Sequence, residues 1–65
     1  MYYISCKNYA IGSGKVDSYD DDNDGNGYSL EEALKRQKEL NDVKEFDGEL
    51  TGTIATVFHF NGEEL

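Results

Sequence analysis

The sequence predicts an α+β domain: a small antiparallel β-sheet of two or three strands, packed on one α-helix, in strand(s)–helix–strand order. Three observations carry this. Residues 1–11 are rich in aromatic and β-branched types and alternate in polarity. Residues 30–43 place apolar side chains at three- and four-residue spacing. Residues 50–60 return to alternation. The chain has 65 residues, no proline, and neither repeats nor linkers, so residues 1–65 read as a single domain.

In chain order, Tyr2, Ile4 and Cys6 alternate with Tyr3, Ser5 and Lys7. Period-two alternation puts the first set on the core face of a strand. Gly12-Ser13-Gly14 reads as a turn, after which Lys15–Tyr19 can return as a short second strand. Ser29 then N-caps a helix, with Glu32 three residues on in capping-box spacing. Glu31 and Glu32 sit at the positive end of its dipole. Leu30, Ala33, Leu34, Gln37, Leu40 and Val43 form one stripe, apolar except for Gln37. This reads as the core face of a helix ending near 41–44. Asp47-Gly48 is a turn signal. In the last strand, Leu50, Ile54, Phe58 and Phe60 share one face, and Thr51, Thr53, Ala55, Val57 and His59 the other. That fits a sheet with one face on the helix and one mostly solvated. Asn61-Gly62 is a hairpin signal followed by only three residues, enough for a stub.

A 65-residue domain buries only about 60% of its unfolded surface, so metal, partner or dimer would add stability. Cys6 is alone, which excludes an internal disulfide and fits a reducing cytoplasm. No apolar run is long enough to span a membrane. The Met-Tyr-Tyr-Ile-Ser start lacks the basic region and apolar stretch of a signal peptide. The expectation is an intact, soluble, monomeric, intracellular product.

Charge is segregated. The net charge is −8, from 14 acidic and 6 basic residues. Asp17, Asp20, Asp21, Asp22, Asp24, Glu31 and Glu32 occur in one stretch without Lys or Arg. Such a chain repels nucleic acid and anionic membrane and attracts cations and basic protein surfaces. The inventory argues against an enzyme: one His, one Cys, and a Gly12-Ser13-Gly14-Lys15 run without Walker spacing.

Two expectations compete for residues 20–32. With Asp20 as position 1 of a twelve-residue loop, Asp22 and Asp24 take positions 3 and 5. Gly25 takes the sharp turn at 6, the Asn26 carbonyl takes 7 and Glu31 takes 12. This resembles the Ca²⁺ loop of EF-hand proteins and dockerins, and the resemblance implies a calcium-binding module. It departs at position 8, where Gly27 replaces an aliphatic residue, at position 9, where Tyr28 offers no carboxylate, and in the strand-like residues that precede it. Alternatively, the small α+β layout and the uninterrupted 17–32 acidic run resemble the DNA-mimic inhibitors of bacteriophages, anti-CRISPR proteins among them. That resemblance implies an inhibitor that fills a Lys/Arg-lined nucleic-acid groove of a host defence complex and binds no nucleic acid itself. Asp17, Tyr19, Asp20, Asp21, Asp22, Asp24, Tyr28, Glu31 and Glu32 are then its partner-binding residues, the two tyrosines acting either as interface anchors or as packing for the loop.

Overall fold

The structure, a computed structural model, describes residues 1–9 and 16–65, the side chain of Phe46 excepted. The elements run β1 (Tyr2–Tyr9), β2 (Val16–Asp21), α1 (Leu30–Leu40), β3 (Asp42–Phe46) and β4 (Glu49–His59). They form one four-stranded antiparallel sheet, ordered β2-β1-β4-β3, with the helix on one face. The α+β class stands, with four strands instead of two or three and the order β-β-α-β-β. The expected Gly12-Ser13-Gly14 turn lies outside the described residues.

The extra strand comes from the stretch read as the helix tail. Asn41 leaves helical geometry at φ −76°, ψ 109°, and its N–H donates to the Gln37 carbonyl. β3 begins at the next residue. Asp47 and Gly48 both have positive φ, 50° and 82°, the backbone of a two-residue type I′ hairpin. That tight turn pins β3 to β4, so Val43 is a strand residue, not part of the helical stripe. Gly52 makes the abrupt helix-to-strand change possible. Its φ is 104°, and a Cβ there would stand 1.8 Å from the Asp42 carbonyl oxygen. No other residue lets β3 approach so closely.

The core is Ile4, Cys6, Ala33, Ala55 and Val57, with Tyr2, Tyr28 and Leu40 packed around it. Ile4 pairs with Val57 and Cys6 with Ala55 across the central β1–β4 ladder. Full burial of an Ile or Val side chain contributes about 1.5–3 kcal/mol, so this ladder supplies much of the apolar stabilisation. The alternation of β4 holds, and the helix covers its smaller side, Ala55 and Val57. Ala33 meets this surface closely because it is itself small. The larger residues, Ile54 and Phe58, lie on the open face. There Tyr3 stacks on Phe58 with ring centroids 5.5 Å apart and meets Phe60 at 6.2 Å. The helical stripe is therefore only half buried: Leu30 and Leu34 remain 41% and 45% exposed.

Gln37 has a specific task. β3 stops pairing at Asp42–Thr53, which leaves the next stretch of β4 without a neighbour. Gln37 Nε2 donates to the Ala55 carbonyl at 2.9 Å, and Ala55 N–H donates to Asn41 Oδ1 at 3.2 Å. Beyond that, the C-terminal residues take over: His59 N–H bonds Glu63 O, and Leu65 N–H bonds Val57 O. The Asn61-Gly62 stub thus closes a strand edge. On the other side, Tyr2 and Tyr28 exchange both backbone hydrogen bonds where β2 has ended.

Two outcomes are expected. Gln37→Ala strands the Ala55 carbonyl and lowers the unfolding free energy by about 1–3 kcal/mol, read from urea denaturation. Gly52→Ala lowers it by at least the ~1–3 kcal/mol of a forced left-handed residue, because Asp42 must also move.

Candidate functional site: the acidic strand edge and turn

β2 extends through the first two aspartates of the acidic stretch. Asp20 pairs with Ser5 and Asp21 with Ile4. Both are strand residues, where the sequence reading placed the start of a loop. The strand pleat sends them to opposite faces. Asp17, Tyr19 and Asp21 lie on the helix side, and Asp20 on the open side with Tyr3 and Phe58.

Asp21 is the organising residue. Its Oδ1 accepts the Tyr28 hydroxyl at 2.9 Å and the Asn23 amide at 3.3 Å. Its Oδ2 accepts Arg36 Nε at 3.0 Å, and Arg36 Nη1 also reaches Glu39 at 3.2 Å. One carboxylate thereby ties the end of β2, the turn, the residue before the helix cap and the helix itself. Its side chain is only 19% exposed. Burial would raise its pKa, but the hydrogen bonds from Arg36, Tyr28 and the Asn23 amide outweigh burial and hold it below the usual carboxylate value. Arg36 is held above its ordinary value, mainly by the bond to Asp21 and then by Glu39. Tyr28 is raised by burial and then by its bond to Asp21.

After Asp21 the chain makes a left-handed turn. Asn23, Asp24 and Gly25 have φ of 56°, 55° and 85°. Asn and Asp tolerate this region because their short polar side chains bond locally. Asp22 Oδ1 accepts the Gly25 amide at 3.1 Å, and Asn23 Nδ2 donates to the Gly27 carbonyl at 3.1 Å. Gly27 N–H closes the turn onto Asp22 O at 2.8 Å, and Asn26 N–H bonds Asn23 O at 3.0 Å. The Gly27 that departs from a calcium loop has a packing reason. A Cβ there would stand 2.7 Å from Phe60 Cζ and 3.0 Å from Met1 Cβ. The Phe60 ring lies directly on the Gly27 backbone.

The nine residues expected to bind a partner do not share one face. Asp17, Asp20, Asp22 and Asp24 are exposed, Asp17 and Asp20 on opposite faces of the β2 edge and Asp22 and Asp24 in the stretch that follows it. Glu31 and Glu32 are exposed on the first turn of α1, where Ser29 Oγ accepts the Glu32 amide at 3.3 Å. Tyr19 is exposed, whereas Tyr28 is part of the internal network. Asp21 is drawn inward and its charge is matched by Arg36. The calcium candidates Asp20, Asp22, Asp24, Asn26 and Glu31 are spread over strand, turn and helix. Among the described residues, no three His, Cys, Asp or Glu side chains gather into a group that could hold a metal ion.

Sequence reasoning did not find the open-face aromatics as site residues. Tyr3 and Phe60, with Asp20, Asp22 and Gly25, line an open hollow of about 260 Å³ beside the turn. The alternation of β4 already placed Phe58 and Phe60 on one face; which face the helix covers was the missing fact. Cys6 and His59 lie on the other face of the sheet, Cys6 in the core beneath the helix. Cys6 is buried, and burial pushes its thiol up; the His59 ring packs against Tyr2 at 4.6 Å.

The depressed pKa of Asp21 has a defined pH consequence. A carboxyl more acidic in the folded than in the unfolded chain stabilises the fold above its unfolded pKa, about 3.9. That contribution disappears as pH falls through the lower folded value. Wild-type protein is expected to lose stability steeply below about pH 4, while Asp21→Asn is weaker at pH 7 and flatter in the acid range. Tyr28→Phe should cost about 1 kcal/mol. Urea melts from pH 2 to 7 measure both.

Among the described residues, no helix is long and apolar enough to cross a membrane. No family model, curated protein or solved structure matches this chain.

Proposed function

We propose that the chain is a small acidic interaction protein that imitates nucleic-acid charge. It occupies a Lys/Arg-lined groove on a host nucleic-acid-binding complex, such as a CRISPR effector, and keeps DNA or RNA out. It acts as a monomer in the host cytoplasm, without catalysis and without a cofactor. The observation that carries this reading is the ordered acidic ridge. Asp17, Asp20, Asp22 and Asp24 project from a strand edge and a hydrogen-bonded turn, while Arg36 is committed to Asp21 and Glu39. Grooves that bind phosphates are strongly basic, and fixed carboxylates can take the place of phosphate oxygens there. Order matters because a floppy acidic tail would lose side-chain and backbone entropy on docking, whereas this turn is already closed.

Position on the edge strand adds a second property. An exposed β-edge invites pairing with other chains, and charge on it prevents that. The same aspartates that would meet a basic groove therefore also guard β2.

The test is competition. The protein is titrated into a DNA-binding effector complex holding labelled target DNA, at roughly 50 and 200 mM salt, a range over which phosphate-like contacts weaken strongly. Displacement is expected, stronger at the lower salt. The triple variant Asp20→Lys, Asp22→Lys, Asp24→Lys is expected to compete at least ~10-fold less well, an effect on the scale of a few charge contacts. Asp21 is left intact because its loss would disturb the turn. Failure to displace DNA from any basic-groove complex, or equal competition by the triple variant, contradicts the reading.

A further inference from the structure

The hollow beside the turn carries an inference of its own, one that rests on the reading of a basic protein partner and names the side chain recognised. Its floor and wall are aromatic. Tyr3 meets two rings: Phe58, nearly parallel at 13° and 5.5 Å, and Phe60, tilted at 50° and 6.2 Å. Phe60 is 48% exposed, yet it does not hang free: its ring rests on Gly27, and its backbone N–H donates to the Met1 carbonyl. Opposite the rings stand two carboxylates, Asp20 from the open face of β2 and Asp22 from the turn. Asp22 accepts one amide from Gly25. Among the described residues, no side-chain hydrogen bond or ion pair engages the Asp20 carboxylate.

Rings beside carboxylates in an open hollow suit a cation with a flat face. We propose that this hollow receives an arginine side chain of the partner, its guanidinium stacked on Phe60 and Tyr3 and its N–H groups donating to Asp20 and Asp22. The chemistry selects arginine over lysine. A guanidinium is planar and weakly hydrated, stacks on aromatic faces and presents a fork of donors to carboxylates. An ammonium is a compact, strongly hydrated charge that gains less from the rings. The hollow also explains why two large aromatics are kept on the solvated face while the helix side has Ala55 and Val57.

The experiment is an NMR titration of ¹⁵N-labelled protein with two capped peptides, Gly-Arg repeated three times and Gly-Lys repeated three times. The arginine peptide is expected to bind at least about threefold tighter, with amide shifts centred on Tyr3, Asp20, Asp22, Gly25 and Phe60. Phe60→Leu should abolish the preference, and Asp20→Asn should weaken the arginine peptide more than Asp17→Asn does. The amide spectra of the variants verify that each is folded. Equal binding of the two peptides, shifts centred on Glu31 and Glu32, or an arginine preference that survives both Phe60→Leu and Asp20→Asn would overturn the assignment. A hollow that prefers arginine in a protein that cannot displace DNA removes the competitor reading and keeps the hollow. Displacement of DNA undiminished in Phe60→Leu does the reverse.

Discussion

Asp21 accepts hydrogen bonds from three donors on three different segments, and the acidic region depends on that convergence. The bond to Arg36 draws the helix toward the end of β2. The bond to Tyr28 fixes the residue whose backbone pairs with Tyr2. The bond to the Asn23 amide starts the left-handed turn. A stretch so rich in like charge would otherwise repel itself apart. Here one carboxylate is neutralised internally, and the remaining ones are held apart on a pleated edge and a closed turn.

The sheet obeys the same logic of satisfied backbone groups. The central antiparallel pair of β1 and β4 has two outer edges to cover, and β2 and β3 are too short to cover them fully. Gln37 and Asn41 complete one gap from the helix, and Glu63–Leu65 another. A buried or half-buried carbonyl without a partner costs more than a typical hydrogen bond contributes, so these small additions matter in a domain where five of the described residues form the buried core. The short helix is bound to the sheet by the hydrogen bonds of Gln37 and Arg36 as well as by the packing of Ala33 and Leu40. Leu30 and Leu34 can therefore remain exposed without loss of the helix.

Much of the fold was legible in local patterns. The core face of β1, the Ser29 cap and the Asp47-Gly48 turn are local signals, and each appears where the pattern put it. The fourth strand was not legible because Val43 continues the helical spacing of Leu40, and only the type I′ turn that follows pairs it with β4. Which side of β4 the helix would cover was equally hidden: alternation distinguishes two faces but does not say which is inside, and here close helix approach favours the smaller one. At the site, composition located the acidic stretch but treated its carboxylates alike. Only tertiary geometry separates Asp21, turned toward Arg36, from Asp20, turned toward Tyr3 and Phe60. Gly27 is similar: as a departure from a calcium loop it had no explanation, and as the seat of the Phe60 ring it has one.

The central claim is that the acidic ridge is a folded object held by Asp21, not a solvated loop. Backbone ¹⁵N order parameters across residues 20–27, in wild type and Arg36→Gln, test it most directly. The claim requires values near 0.85 in the wild type and a fall toward 0.6 or lower in the variant, with the amides of β1 and β4 unchanged. A turn already mobile in the wild type, or one equally rigid after Arg36 is removed, contradicts it.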